Sequence, residues 1–276
     1  MRQEIPQVGF AIIGGSGTCG GNFPEDLNFP GLKILKNNLV FDTPYGESPR
    51  FKLFIFEDKK VLHVKIHGWR KGIKRGQASL RLFWVLKEAG VKKIIAEGGV
   101  GSINHLLNPY DLIISSDYLD FSLRKDIELS SDYLLAMRQA VCPQIRSNLI
   151  KAARLCNADG TGRVFDRGIY AVTDGRHFES PAEIAMLGRL GADIVGQSMC
   201  PEAYLAREIA ACYARIDIVA NYAEGVVEDW QHDTLSRIFY QEAPRMGKIL
   251  LYALRNIKLD PECNCPQLRY PTLLGE

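Results

Sequence analysis

The chain has 276 residues, 46% of them hydrophobic and 24% charged, with 34 Lys and Arg against 32 Asp and Glu for a formal net charge of +2. This length suits one large α/β domain, the composition excludes a largely disordered chain, and the near-balance of charge excludes a global field directed at nucleic acid or a membrane surface. No run approaches the roughly 20 apolar residues that a membrane-spanning helix needs, and no signal-peptide core follows the first methionine, so a cytoplasmic address is expected.

In chain order, Val8-Gly9-Phe10-Ala11-Ile12-Ile13 reads as a buried strand that runs into the glycine loop Gly14-Gly15-Ser16-Gly17. The apolar stretches 51–56 and 60–66, on either side of Glu57-Asp58-Lys59, predict a hairpin. Leu80, Leu82, Phe83, Val85 and Leu86 recur at helical spacing and predict a helix over 77–89, stopped by Gly90. Lys93-Ile94-Ile95-Ala96 predicts a strand entering a second glycine loop, Glu97-Gly98-Gly99-Val100-Gly101-Ser102, with another strand at 112–116. Helices are then expected at 142–155, 181–190, 201–213 and 233–256, and strands at 168–173, 193–197 and 215–221.

This alternation predicts a single α/β domain over 1–258 with a mixed, largely parallel central sheet flanked by helices. Residues 259–276 hold three prolines and no periodicity, so an irregular surface tail is expected. The seven cysteines are odd in number and scattered, unlike a secreted disulfide framework, and read as reduced thiols. The five histidines show no metal-ligand spacing, and Cys263-x-Cys265 lacks the second pair that a structural zinc requires, so no metal is expected.

Gly15 to Gly20 formally fits the dinucleotide pattern G-x-G-x-x-G, but Asn22, Pro24, Asn28 and Pro30 argue against the long helix that must follow it. A nucleoside triphosphate P-loop is also missing. Two readings of the loop remain. It is a tight turn that needs glycine for its backbone angles, or a cradle in which backbone N–H groups and the Ser16 hydroxyl hold a small anion such as phosphate.

Six motifs in order extend the second reading: Gly14-Gly15-Ser16-Gly17, Asp42-Thr43-Pro44-Tyr45-Gly46, Ile66-His67-Gly68, Gly98-Gly99-Val100-Gly101-Ser102, Gly175-Arg176-His177-Phe178-Glu179-Ser180, and the run from Gly191 to Glu202. With these the chain resembles the trimeric purine nucleoside phosphorylase and methylthioadenosine phosphorylase family over about residues 8–256. The resemblance implies phosphorolysis of an N-glycosidic bond by a homotrimer, with inorganic phosphate as co-substrate and no metal or cofactor. It puts Ser16, His67, Ser198 and backbone amides near Gly99 around the phosphate, and Phe178 against the purine plane. Glu179 would accept a hydrogen bond from a ring N–H, and Asn221 would donate to a 6-oxo oxygen or N7, where an aspartate in the family favours a 6-amino group. Asn221, His67 and Glu179 are thereby the expected catalytic groups, and a 6-oxopurine nucleoside is the expected substrate.

For the sugar, the resemblance points to His232 at a 5′-hydroxyl, with apolar residues expected there in members that act on methylthio nucleosides. Trp69 would cover the sugar or pack between subunits. The family's usual phosphate arginine is absent before His67, which leaves Lys65 to replace it as a point charge without the bidentate fork. Gln197 stands where a methionine usually contacts the ribose. Members with a similar tail suggest a local Cys263–Cys265 disulfide, against two free thiols in a reducing compartment. A methylthio-nucleoside phosphorylase and a purine-binding protein that has lost phosphorolysis are the alternative functions.

Overall fold

The apolar runs become strands buried on both faces, and the computed structural model describes them within residues 4–66, 72–157, 161–227, 232–260 and 263–272. The strands are β1 (Phe10–Gly14), β2 (Leu32–Leu39), β3 (Asp42–Thr43), β4 (Gly46–Glu47), β5 (Phe51–Phe56), β6 (Lys59–Lys65), β7 (Lys93–Ser102), β8 (Leu112–Ile113), β9 (Asp117–Asp120), β10 (Tyr133–Leu135), β11 (Val164–Phe165), β12 (Ile169–Val172), β13 (Ile194–Gly196), β14 (Cys212–Tyr222) and β15 (Arg269–Pro271). The helices are α1 (Arg75–Glu88), α2 (Pro143–Cys156), α3 (Pro181–Arg189), α4 (Met199–Glu208) and α5 (His232–Asn256).

One 11-stranded sheet carries the domain, as the alternating pattern predicts. At its centre β1 lies between β6 and β7, parallel to both, and β14 pairs parallel with β7 on the other side. Helices cover such a sheet on both faces, which is why β1 and β14 read as nearly continuous apolar runs. The hairpin β5–β6 is antiparallel, and β2, which the sequence did not signal, pairs antiparallel with β5 at the edge. Helix α1 packs on α4 and α2 on α5. Among the described residues no helix is long and apolar enough to cross a membrane.

Three local expectations change. The second glycine run is not a loop: β7 continues through Ser102, because pairing of Gly98, Gly99 and Val100 with Asp217, Ile218 and Val219 outweighs the weak strand preference of glycine. Helix α4 ends at Glu208 rather than near 213, since Ala210 turns left-handed at φ 56° and β14 already begins at Cys212. Within 259–276, expected to be irregular, Cys265 and Leu268 are buried and β15 pairs antiparallel with β10.

Candidate functional site

Parallel strands end together at their carboxyl edges, and in open α/β sheets that edge is where ligands bind. Here the ends of β1, β7 and β14 open onto a cavity of about 320 Å³, completed by the segments around 178 and 197 and by α5. Ser16, Gly99, Phe178, Glu179, Gln197, Ser198 and Asn221 all line it, although the first and last lie more than two hundred residues apart in sequence.

At one end of the cavity sit the hydroxyl residues Ser16 and Ser198. The loop that carries Ser16 is not an open amide cradle. Buried Glu97 accepts hydrogen bonds from Gly15 N (2.5 Å), Gly17 N (2.8 Å), Thr18 N (3.1 Å) and Thr18 Oγ1 (2.7 Å). Burial pushes the Glu97 carboxyl above its ordinary value, and the Thr18 and Gly15 donors resist that rise. Three backbone N–H groups and the Thr18 hydroxyl converge on its two oxygens, so the loop is built around this side chain. Glu97 thus takes up the Gly15 and Gly17 amides of the run expected to hold an anion and holds the turn that carries Ser16.

Ser198, the residue before α4, is set from behind. Arg215 Nη1 donates to Ser198 Oγ at 3.0 Å, which leaves the serine's own hydrogen to point elsewhere. Arg215 is itself buried against Asp217, with Nε to Oδ2 at 2.7 Å and a second contact from Nη2 to Oδ1, and its guanidinium stands over the Tyr170 ring. Buried Arg124 ties the same corner together by donating to the carbonyls of Thr173, Gln197 and Cys200.

Lys65 does not reach this end. Its Nζ donates to the carbonyls of Cys19 (2.8 Å) and Gly21 (3.1 Å), and the residue lines a separate cavity with His63 and Lys52. The carbonyls of the 19–21 turn lie within reach of the strand's last side chain and satisfy its ammonium. Among the described residues, the cation that lines the main cavity is Arg75, at the start of α1. Burial lowers its pKa from the ordinary value, against the opposing pull of Glu202, and a guanidinium still carries its charge there.

Phe178, Glu179 and Asn221 also line the cavity. Ser180 is the N-cap of α3 and forms a capping box with Glu183, so Glu179 is not used as the cap and its buried carboxylate lines the cavity, accepting from Thr173 Oγ1 at 2.5 Å. Phe178 beside it is 45% exposed and lines the same cavity. The β14–β7 register slips between Val219 and Asn221, a bulge that aims Asn221 at the cavity. Asn221 Nδ2 donates one hydrogen to Tyr222 O at 2.7 Å, and among the described residues nothing takes its second. Gln197 leans over Gly175 with Nε2 3.4 Å from His177 O. From α5 come two apolar side chains, Leu235 and Phe239.

His67 and Trp69 lie outside the described residues, and His232 opens α5 with its side chain likewise outside them. The sequence reading missed Arg75, Glu97, Arg124 and the Arg215–Asp217 pair. A signal existed for three of these positions: Glu97, Arg215 and Asp217 are charges inside otherwise apolar buried strands, where only a specific partner makes them tolerable.

The family model described as "Phosphorylase superfamily" matches residues 10–255. The chain is 33% identical over 273 residues to a Pyrococcus furiosus protein named 6-oxopurine nucleoside phosphorylase, covering 95% of this chain and 97% of that one. It is 33% identical over 253 residues to a probable S-methyl-5'-thioinosine phosphorylase of Methanothermobacter thermautotrophicus, covering 90% and 86%. The solved structure of methylthioadenosine phosphorylase from Schistosoma mansoni in complex with adenine superposes with a TM-score of 0.75 at 25% identity, over 90% of this chain and 91% of that one.

Proposed function

Because the chain belongs to the phosphorylase superfamily, we propose that its cavity holds a purine nucleoside beside inorganic phosphate and transfers the pentose from the base to the phosphate. A single observation carries this reading: one cavity joins a hydroxyl-and-guanidinium end, Ser16, Ser198 and Arg75, to a planar end, Phe178, Glu179 and Asn221. The first end suits a phosphate dianion, with Arg75 in the place for which Lys65 was the sequence candidate. The second suits a purine, with Phe178 on its face, Glu179 accepting from a ring N–H and the second Asn221 N–H donating to N7 or a 6-oxo oxygen.

In the reaction a phosphate oxygen bonds to the anomeric carbon as the bond from that carbon to the purine nitrogen breaks. The bonding electrons go to the base, which takes up a proton as the phosphate, on becoming the ester, gives one up. Charge that spreads onto the leaving purine strengthens its hydrogen bond from Asn221, so this contact lowers the barrier as well as choosing the base. His67 would join the phosphate site, with Gln197, His232 and Trp69 near the sugar. Assembly as a homotrimer, a cytoplasmic location and a reaction that needs no metal or cofactor belong to the same reading and are supported by the resemblance.

The amide at Asn221 favours 6-oxopurines. Leu235 and Phe239 favour a second reading of the sugar, in which a methylthio group replaces the 5′-hydroxyl. Release of free base from inosine, guanosine, adenosine and methylthioinosine, each with and without phosphate, tests both. Phosphate-dependent release of hypoxanthine or guanine is expected, and release without phosphate, or none, would refute the proposal. Asn221→Asp should move preference toward 6-amino purines, by about tenfold in the inosine-to-adenosine ratio for one altered hydrogen bond.

A further inference from the structure

Four cysteines from three distant parts of the chain meet at the end of the sheet opposite the cavity. Cys142 is the N-cap of α2, Cys212 opens β14, and Cys263 and Cys265 lie beyond α5. Their sulfurs all lie within 4.8 Å of one another. Cys263 Sγ stands 3.6 Å from that of Cys142 and 3.4 Å from that of Cys212. The sequence expectation that Cys263-x-Cys265 lacks a second pair therefore fails, because the fold supplies Cys142 and Cys212.

The arrangement has one centre rather than two separate pairs. Zinc held by four thiolates at about 2.3 Å sets neighbouring sulfurs about 3.8 Å apart, close to the spacing here. Three of the cysteines are buried and Cys263 is half-buried, so the centre is closed, as structural sites are.

A second observation points the same way. Lys93 is 2% exposed, and its Nζ donates to Gln144 Oε1 at 2.6 Å and to Cys212 Sγ at 3.5 Å. Among the described residues no carboxylate pairs with it. A buried ammonium is costly without nearby negative charge, and the cysteine cluster is where that charge can reside.

We propose that Cys142, Cys212, Cys263 and Cys265 bind one structural zinc ion that fastens the segment after α5 to α2 and β14. Binding Zn²⁺ releases up to four thiol protons and leaves a centre of net charge −2, one unit of which Lys93 offsets. No oxidation or reduction is involved. Cys212 and Asn221 are nine positions apart on β14, about 30 Å at the rise of an extended strand, so the ion takes no part in the chemistry of the cavity. The inference is independent of the function proposed above.

The test uses the whole chain, purified under reducing conditions, equilibrated with Zn²⁺ and desalted. Elemental analysis and native mass spectrometry should find one zinc per chain, released stoichiometrically when a mercurial blocks the thiols. Co²⁺ in its place should give the intense visible absorption of a tetrahedral tetrathiolate. Cys263→Ser and Cys265→Ser, in the terminal segment and least disruptive to folding, should each lose the zinc. A chain with no zinc after equilibration, one whose four cysteines are found as two disulfides under these reducing conditions, or a Cys265→Ser variant that keeps full stoichiometry would each overturn the proposal. The measurements on the unmutated chain decide the matter even if a variant fails to fold.

Discussion

Gly14-Gly15-Ser16-Gly17 and Gly98-Gly99-Val100-Gly101 flank the same cavity by different means. The first run leaves the sheet and becomes a turn whose amides bind the Glu97 carboxylate. The second stays within β7, its backbone paired to β14, and its missing side chains make room for neighbours. A Cβ on Gly98 would stand 2.8 Å from Arg215 Nη2, and one on Gly99 would stand 2.4 Å from Phe239 Cε1. Both runs need glycine, but only the first is held by a single charged side chain. Glycine content therefore marks where a ligand or neighbour comes close without saying whether the backbone itself does the binding.

Glu97→Gln should separate the two runs most sharply. The amide turns an N–H₂ toward donors that need an acceptor, and a loss of about 3 kcal/mol in unfolding free energy is expected, read by urea denaturation. The phosphate KM should rise with it because Ser16 loses its anchor. Gly15→Ala should follow, at about 2–3 kcal/mol, since its Cβ would lie 2.4 Å from the backbone oxygen of Glu97, which β7 holds in place. Gly99→Ala should cost less, about 1 kcal/mol, because the Phe239 ring it meets can swing aside; its effect should appear mainly in the nucleoside KM. Equal costs for the two alanines would erase the distinction.

Acid should act on the first run through His63. His63 Nε2 would lie 2.9 Å from a Cβ on Gly14 and has no hydrogen-bond partner among the described residues, and burial, with Lys52 and Lys65 nearby, holds the imidazole at about 3. The unfolded chain therefore binds this proton below the ordinary value of 6.5, while the fold does not until about 3. Stability should fall as pH drops through that window, by about 1 kcal/mol at pH 5.5 and about 1.4 kcal/mol for each further unit. His63→Leu should flatten this slope in denaturation curves measured across the window, and an unchanged slope would remove His63 from the account.

The sheet was legible because β1, β5, β6 and β14 are apolar enough to declare their burial, and Ser16, Phe178, Glu179, Ser198 and Asn221, which all line the cavity, were legible through the family that their motifs resemble. Arg75 carries no such mark: it sits at the start of a helix and reaches the cavity only through the packing of α1 beside α4. The reverse error at Lys65 has the same root, since closeness to His67 along the chain says nothing about the carbonyls at 19 and 21 that capture its ammonium. Cys142 and Cys212 were invisible as partners of Cys263 and Cys265 because only the meeting of α2, β14 and the terminal segment joins them. Long-range contacts of this kind leave no spacing to read.

Initial rates of hypoxanthine release from inosine, measured against phosphate concentration for the unmutated chain, Arg75→Ala and Lys65→Ala, test the central claim most directly. Losing a charge-assisted contact to phosphate should raise the phosphate KM of Arg75→Ala by about 10- to 100-fold with the inosine KM little changed, and Lys65→Ala should leave the phosphate KM as it was. A phosphate KM that rises for Lys65→Ala and stays fixed for Arg75→Ala would contradict the assignment of the anion to the end of the cavity formed by Ser16, Ser198 and Arg75.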